Sequence, residues 1–444
     1  MLPLPKDFIW GTATASAQIE GAATLDGKGE SIWDRFASLP GRVIKGHTPA
    51  IACDHYHRYE EDIALMASLG IKHYRFSIAW PRVFPAGDGA VNLKGLEFYS
   101  RLVDCLLRHG ITPHVTLFHW DLPQALEDRG GWTNRLTAEA FLPYAETVVK
   151  HLGDRVKHWF TQNEMTCFIG HGYELGIKAP GRKEPRQIIN QAYHHALLAH
   201  GYGVQAVRAH GGPGAKVMLV QNCDATLPFV ETEPDIAAAR QAFHRINGFC
   251  MQPLFKGSYP EWIINSPDAP QVQPGDMELI AGKTDGFGLN IYTGLFYKAG
   301  TNGQPEYLTF GPHYPTPPLL GWLKFTPQCI YWGTRFIHEL YAPGDIFITE
   351  NGVAYQDTIN TNGQIVDLHR VEYLKLHLAQ VHRAVADGLP LRGYFQWSFM
   401  DNYEWSDGYD PGFGLVHVDR ETLKRTPKLS AEWYARCIAA NAVL

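Results

Sequence analysis

The sequence has no large excess of charge of either sign and no long hydrophobic run. Its 39 basic and 45 acidic residues leave a formal net charge of −6 over 444 residues. Binding to nucleic acid or to an acidic membrane surface usually needs a strongly basic surface, so we expect neither partner. No stretch approaches the roughly 20 apolar residues of a membrane span. The first residues also lack the basic and then apolar pattern of a signal peptide, so we expect neither membrane insertion nor export.

Cysteine is sparse and follows no pattern. The seven cysteines are widely spaced and include no Cys-x-x-Cys pair, so the sequence indicates neither a disulfide framework nor a zinc site. It also has no Asn-x-Ser/Thr glycosylation sequon. These features favour reduced thiols and a cytoplasmic location.

The composition is that of a globular protein, with 45% hydrophobic and 19% charged residues. Length alone would allow about three domains, but α/β barrels with long loops reach this size as one unit. Short apolar, β-branched and aromatic runs alternate with helical stretches, which is typical of strand–helix units. We count eight such runs and therefore predict one (β/α)8 TIM barrel over residues 1–444, with long βα loops forming a pocket. The predicted strands are Phe8–Gly11, Ile71–Trp80, Ile111–Trp120, Val156–Glu164, Lys216–Asn222, Asp285–Thr293, Ile346–Gly352 and Leu391–Phe399.

Two segments between the predicted strands have a clear character of their own. Apolar residues at three- and four-residue spacing predict an amphipathic helix over Leu93–Arg108, with Gly110 ending it. The segment Ala299–Pro327 is rich in Pro, Gly, Thr and aromatic residues, which predicts an ordered surface loop after the sixth strand. Loops of this kind shape the mouth of the pocket in barrel enzymes.

Two carboxylates follow apolar strands directly and therefore stand out. Glu164 ends the fourth predicted strand and Glu350 lies in the seventh, so the barrel should bring both to its C-terminal face. A pair of carboxylates across a pocket suits hydrolysis of a glycosidic bond. The alternative is that both are salt-bridge partners at strand ends, which the flanking Asn163 and Asn351 make less favourable. Several tryptophans could stack on a sugar ring, although a place in the core is the commoner use of this residue.

Long motifs carry a resemblance over nearly the whole chain. They are FIWGTATASAQIEG at 8–21, TLFHWDLPQAL at 116–126, FITENG at 347–352, WSFMDNYEW at 397–405 and GLVHVD at 414–419. In these motifs and in their order, the chain resembles the family 1 glycoside hydrolases, and within them the retaining β-glucosidases of the (β/α)8 barrel type.

The resemblance implies roles for individual residues. Glu350 would be the nucleophile and Glu164 the acid/base, about 5 to 5.5 Å apart as retention requires. Arg75 and Tyr292 would hydrogen-bond Glu350 and keep it ionised, and its charge would raise the pKa of Glu164. The sugar would be held by Gln18, His119, Trp120, Asn163, Trp397, Glu404 and Trp405, and the leaving group would lie near Thr166, His171 and Trp322.

The implied reaction removes the terminal non-reducing β-D-glucosyl residue of cellobiose, short cello-oligosaccharides and aryl or alkyl β-glucosides, and it releases glucose. Side activity on β-galactosides and β-fucosides, and transglycosylation, are also expected. The reaction needs no metal and no organic cofactor. The sequence reads TQNEM where the family usually has T-x-N-E-P, so Met165 and Thr166 indicate an altered leaving-group side. A homo-oligomer is left open.

Other functions would make different demands on the sequence. Relatives that cleave 6-phosphorylated sugars use a small residue, a Lys and a Tyr where this chain has Glu404, Pro411 and Phe413. A carboxylate would repel the phosphate, and the sequence shows no local cation to replace the lysine. A protein that only binds sugar would be expected to lack one of the two carboxylates. A metal hydrolase is suggested by His55-x-His57 and His194-His195, but no ligand motif accompanies them, so we expect surface or supporting histidines.

Overall fold

The computed structural model describes residues 1–444, and its centre is a closed barrel of eight parallel strands. The strands follow one another around the barrel in chain order, and the last pairs with the first through Trp397 and Ala13. Each of the eight predicted runs overlaps one strand, so the predicted (β/α)8 barrel is confirmed. The strands are β1 (Ile9–Ala13), β2 (His73–Ser77), β3 (Thr112–Thr116), β4 (His158–Asn163), β5 (Lys216–Asn222), β6 (Gly286–Asn290), β7 (Asp345–Asn351) and β8 (Leu391–Trp397).

A long helix follows each strand and covers the outside of the barrel. Strands that are buried on both faces have almost continuously apolar sequences. In β7, for example, Ile346, Phe347 and Ile348 are all buried. The helix predicted over Leu93–Arg108 has those bounds, and the left-handed Gly110 (φ +68°) follows it. The helices are α1 (His55–Ser68), α2 (Leu93–Arg108), α3 (Arg135–Leu152), α4 (Arg186–His210), α5 (Glu233–Lys256), α6 (Cys329–Tyr341), α7 (Leu368–Ala386) and α8 (Leu429–Ala440).

The remaining elements are short and lie mostly in the loops. The two ends of the chain pair with each other, because Leu2–Pro3 forms an antiparallel bridge with Ala442–Val443. Short helices and helical turns lie at Ser16–Ile19, Leu25–Gly27, Ile32–Ser38, Ile44–Gly46, Trp80–Val83, Gln124–Glu127, Gly131–Thr133, Thr166–Glu174, Glu261–Ile264, Asp276–Ile280 and Trp405–Asp407. Short strands lie at Ala225–Pro228, Gly294–Ala299, Pro305–Tyr307, Val416–Val418 and Arg425–Pro427.

The loop predicted over Ala299–Pro327 is only partly irregular. Its first part belongs to a hairpin, in which Gly294–Ala299 pairs with Pro305–Tyr307, and Ala225–Pro228 adds a third strand. The sequence did not indicate this hairpin because its strands are short and begin with Gly294 and Pro305, residue types that are typical of loops. None of the helices combines the length and the apolarity that crossing a bilayer requires.

Three histidines lie side by side in neighbouring barrel strands. The Nδ1 atom of His73 in β2 is 3.1 Å from the Nε2 atom of His114 in β3, and the rings of His114 and His158 stack with their centroids 4.3 Å apart. Burial lowers the pKa of His73 and of His158 to about 4, and it lowers the pKa of His114 well below the ordinary value. The folded protein therefore holds these imidazoles in their neutral form.

This cluster predicts a specific loss of stability in acid. The unfolded chain protonates these histidines near pH 6.5 and the folded protein near pH 4, so unfolding takes up protons between the two values. The free energy of unfolding then falls as the pH falls through this window, by up to about 1.4 kcal/mol per pH unit for each histidine. In His158→Gln the melting temperature should decline less steeply between pH 6.5 and pH 4 than in the wild type. The exposed His57→Gln should keep the wild-type slope, and equal slopes in all three proteins would rule out the cluster as the cause.

Candidate active site

The polar residues predicted for the site meet at the C-terminal ends of the strands. Loops after β1 and β3 contribute Gln18 and His119, the end of β4 contributes Asn163, and the loop after β6 contributes Tyr292. Most of these side chains are buried although they are polar, and Glu164 and Glu350 are 6% and 4% exposed. Buried polar groups are costly unless they are paired, so their partners decide what the site can do.

Glu350 is held by two donors. The Nη1 atom of Arg75 lies 2.7 Å from Oε1 of Glu350, and the hydroxyl of Tyr292 donates to Oε2 at 2.8 Å. Arg75 comes from β2, is 1% exposed, and also donates to the carbonyl of Thr349 at 3.2 Å. Both oxygens of Glu350 are therefore fixed by groups that favour a carboxylate over a carboxylic acid.

Glu164 has a weaker set of partners. Its Oε1 atom accepts a hydrogen bond from the side-chain amide of Asn290 at 2.8 Å. The same amide donates to Oδ1 of Asn163 at 3.0 Å, and that oxygen accepts from Nη2 of Arg75 at 2.6 Å. A continuous chain of hydrogen bonds therefore joins Glu164 to Glu350 through Asn290, Asn163 and Arg75.

The two carboxyls differ in how readily they ionise. Burial and the charge of Glu164 raise the pKa of Glu350 to about 7, although Arg75 and Tyr292 act in the opposite direction. Burial also raises the pKa of Glu164, which only Asn290, Cys167 and more distant cations oppose. The sequence analysis expects a raised pKa for Glu164, as observed, but it attributes the rise to the charge of Glu350. Burial is the main cause. With the guanidinium and the phenol on Glu350, the geometry favours the negative charge there and the proton on Glu164.

Two buried polar atoms in the pocket have no partner in the protein. Gln18 donates to the carbonyl of Tyr403 at 2.8 Å and to Asn402 at 3.0 Å, which leaves its Oε1 atom unbonded. His119 accepts from the amide of Asn163 at 3.1 Å through Nε2, and its Nδ1 atom is unbonded. Burial lowers the pKa of His119, so the ring is neutral and Nδ1 carries its hydrogen. The pocket thus offers one free acceptor and one free donor, as a hydroxyl-bearing ligand needs.

The tryptophans of the pocket are packed against one another and against His119. Trp397 stacks with His119 at 5.8 Å between centroids, and Trp405 stacks with Trp120 at 4.6 Å. The indole N–H of Trp120 donates to the carbonyl of Asn163 at 3.0 Å, so this donor is already used within the protein. Trp120, Trp405 and Glu164 all have left-handed backbones, with φ of +76°, +52° and +55°. Non-glycine residues adopt this conformation at a cost and do so most often at functional sites.

Lys178 is a pocket residue that the sequence reasoning missed. Its ammonium lies 4.6 Å from the centroid of the Trp120 ring, and it forms no ion pair with a carboxylate. Its charge lowers the pKa of Glu164 and of Glu404, against the burial that raises the pKa of Glu404 to about 8. The sequence near Glu404 has no cation in place of the motif lysine, but folding brings Lys178 close enough for its charge to act on Glu404. No signal in the sequence identifies Lys178, because it is a single lysine in a loop that only folding brings to Trp120.

The three residues predicted for the leaving-group side have different surroundings. Thr166 begins the helical segment Thr166–Glu174 and hydrogen-bonds Asn222 and Gln221 through its hydroxyl. The ring of His171 is largely buried, which lowers its pKa to about 4. Trp322 is 52% exposed and meets the edge of Tyr292 at 5.8 Å between centroids.

The paired histidines are structural. His194 and His195 are buried in α4, not at the surface as one of the expectations had it, and His194 bonds Asp276 at 2.9 Å and Tyr259 at 2.8 Å. His55 is also buried and bonds Asp62 at 2.7 Å. No group of three or more His, Cys, Asp or Glu residues is placed to hold a metal ion.

The position of Lys178 predicts a change in the pH profile of the expected glycosidase activity. With Glu164 as the acid that the resemblance implies, removing the charge in Lys178→Met raises its pKa, so the alkaline limb of kcat/KM should move to higher pH. The measurement is kcat/KM for p-nitrophenyl β-D-glucoside against pH. Lys178→Arg keeps the charge and should keep the wild-type limb, as should Lys183→Met on the exposed part of the same loop. A limb that stays in place in Lys178→Met would show that this charge does not act on Glu164.

Comparisons with known proteins agree with this geometry. The family described as glycosyl hydrolase family 1 matches residues 2–443. The chain is 43% identical to beta-glucosidase A of Acetivibrio thermocellus and 42% identical to 1,4-beta-D-glucan glucohydrolase of Thermotoga neapolitana, with 99% of each chain covered in both cases. Structures of the beta-glucosidase from Thermotoga maritima, in complex with deoxynojirimycin and with galacto-hydroximolactam, superpose with a TM-score of 0.91 at 40% identity over the whole of both chains. The expected glycosidase is thereby confirmed, and the chain belongs to glycosyl hydrolase family 1.

Proposed function

We propose that this protein is a retaining exo-β-glucosidase in which Glu350 is the nucleophile and Glu164 the acid/base. The observation that carries the assignment is the unequal support of the two carboxyls, since Glu350 has Arg75 and Tyr292 on its two oxygens and Glu164 has only amide donation from Asn290. A nucleophile must be ionised and an acid must be protonated at the start of the reaction. Relatives of this chain named beta-glucosidase support the same class of substrate.

The first step would form a covalent glucosyl-enzyme. The Glu350 carboxylate attacks the anomeric carbon while the bond from that carbon to the leaving oxygen breaks. Glu164 donates its proton to the leaving oxygen, so the aglycone departs as a neutral alcohol and Glu164 becomes a carboxylate. Asn163 would hydrogen-bond the 2-hydroxyl, where contacts strengthen in the transition state.

The second step would reverse these roles. Ester formation removes the charge of Glu350, so the repulsion that favoured a protonated Glu164 disappears. Glu164 takes a proton from water, the water oxygen attacks the anomeric carbon, and the ester bond to Glu350 breaks. Glucose leaves with the β configuration, and both carboxyls return to their starting states. With a sugar in place of water, the same step gives transglycosylation.

The free polar atoms support recognition of one terminal sugar. The unbonded Oε1 of Gln18 and the N–H at Nδ1 of His119 would accept from and donate to its hydroxyls, and Trp397 would lie against its apolar face. Glu404, half-buried and with a raised pKa, would add a further contact. Neither Gln18 nor Glu404 separates glucose from galactose by its chemistry, and the galacto-configured inhibitor bound by the Thermotoga maritima enzyme supports side activity on β-galactosides and β-fucosides.

The proposal also covers the domain organisation, the substrates and the cellular location of the enzyme. Residues 1–444 would form a single catalytic domain, which one continuous hydrophobic core supports. Its substrates would be cellobiose, short cello-oligosaccharides and aryl or alkyl β-glucosides. Free thiols at all seven cysteines support a cytoplasmic location.

Replacing the nucleophile gives the sharpest test of the catalytic assignment. Glu350→Gly should lower kcat for p-nitrophenyl β-D-glucoside by at least about a thousandfold, because the covalent route is lost. Sodium azide should restore turnover by occupying the vacated space, and the product should be the inverted α-glucosyl azide. Product configuration is read by NMR, and a β-glucosyl azide from this variant would contradict the role of Glu350.

The acid/base variant is the matched comparison. Glu164→Ala should retain the first step for aryl glucosides with good leaving groups, because these depart without a proton. Azide should then attack the glucosyl-enzyme and give the β-glucosyl azide. If both variants gave the same anomer, the two roles could not be divided as proposed.

A substrate panel tests the sugar assignment. We expect fast hydrolysis of p-nitrophenyl β-D-glucoside and of cellobiose, slower hydrolysis of the β-galactoside, and a rate on the 6-phosphoglucoside at least about a hundredfold lower, because Glu404 faces the added anion. Each initial rate is measured with and without EDTA, which should have no effect. Since Lys178 lies near Glu404, a preference for the phosphorylated substrate would reverse the assignment of Glu404.

A further inference from the structure

A separate cavity of about 350 Å³ lies outside the barrel, against the loop that carries Glu164. Its walls are the N-terminal part of α4, the second half of α5 and the short helix Glu261–Ile264. Two of its lining residues, Arg186 and Arg245, are exposed, so the cavity opens to solvent on the outside of the protein. The volume is at the small end for a ligand site and suits a single ring.

The inner wall of the cavity is closed toward the catalytic carboxyls. Gln221 is 1% exposed, and its side chain accepts the backbone N–H of Met165 at 2.9 Å and donates to the hydroxyl of Thr166 at 2.9 Å. Neither Glu164 nor Glu350 lines the cavity. A molecule in the cavity would therefore bind separately from a sugar in the pocket of the barrel.

The charged residues of the lining are all cations. The guanidinium of Arg245 lies 4.8 Å from the centroid of the Trp262 ring and pairs with no carboxylate. Arg186 pairs with Glu174 through one of its nitrogens, and the lining itself contains no acidic residue. The charge of the cavity therefore suits an anion.

The cavity also has free neutral groups beside aromatic rings. The rings of Tyr193 and Phe249 lie 5.3 Å apart between centroids, and the hydroxyl of Tyr193 has no hydrogen-bond partner in the protein. Asn190 is 6% exposed, and its amide donates to the carbonyl of Asp268 at 2.8 Å, whereas its Oδ1 atom accepts no hydrogen bond. A buried acceptor is costly unless a ligand or a water molecule donates to it.

These features specify a ligand by its chemistry. We propose that the cavity is a binding site for a small aromatic carboxylate, separate from the site that would hold the sugar. The ring of the ligand would pack against Tyr193 and Trp262, and its carboxylate would accept from the free N–H groups of Arg245. A hydroxyl on the ring would donate to Oδ1 of Asn190.

The test titrates para-hydroxybenzoate and its uncharged methyl ester into the protein at neutral pH by isothermal calorimetry. Arg245→Gln removes a charge from the cavity, and Lys178→Met removes the charge beside Trp120 in the barrel pocket. Arg240→Gln is the control, because Arg240 lies on the same helix as Arg245 and pairs with Glu339 away from the cavity. The titration needs no catalysis, so its result does not depend on the proposed function.

We expect the wild type to bind the acid about tenfold more tightly than the ester, because only the acid forms a charged hydrogen bond with Arg245. Arg245→Gln should weaken binding of the acid by about the same factor and leave the Kd of the ester unchanged. Lys178→Met and Arg240→Gln should bind the acid as the wild type does. The acid should also leave KM for p-nitrophenyl β-D-glucoside unchanged, because the closed wall separates the two sites.

Equal affinities of the wild type and Arg245→Gln for the acid would overturn the proposal, and so would absence of binding at about 10 mM acid. A loss of affinity in Lys178→Met, with none in Arg245→Gln, would place the anion in the barrel pocket and would also overturn it. If the titrations behave as expected but the wild type does not hydrolyse p-nitrophenyl β-D-glucoside, the cavity is confirmed as a binding site and the proposed function has failed.

Discussion

The ion pair between Arg75 and Glu350 is the contact on which the arrangement of the site depends. Its two side chains are almost completely buried, and removing one partner would leave an uncompensated charge in the barrel. Arg75 also bonds Asn163, so one guanidinium on β2 sets the positions of groups on β4 and β7.

Asymmetry around this pair gives two identical carboxyl groups different chemistry. Glu350 is enclosed by a cation and a phenol, whereas Glu164 lies near an amide, a thiol and the more distant Lys178. The same burial that makes ionisation costly for both therefore leaves the proton on the less supported member. A purely hydrophobic pocket would keep both carboxyl groups protonated, and a water-filled cleft would leave both ionised.

Much of the barrel could be predicted because its signals are local. Strands that are buried on two faces read as apolar runs, and α2 could be placed to the residue because its apolar spacing and Gly110 are both visible in the sequence. The hairpin of Gly294–Ala299 with Pro305–Tyr307 could not, since its strands are short and the third strand of its sheet, Ala225–Pro228, is far away in the chain. For the same reason, motifs indicated the two glutamates and most of the polar residues around them, while Lys178 and the cavity beside Thr166 depend on contacts between segments that no motif joins.

The pairing of Leu2–Pro3 with Ala442–Val443 has a practical consequence for anyone who handles this enzyme. The first barrel strand begins at Ile9, so both termini lie on the side where the strands start, and the pocket lies on the side where they end. A purification tag, a surface anchor or a fused carbohydrate-binding module attached at either end would leave the opposite face open. Because the ends are neighbours, a short linker could also join them and new ends could be opened in an exposed loop.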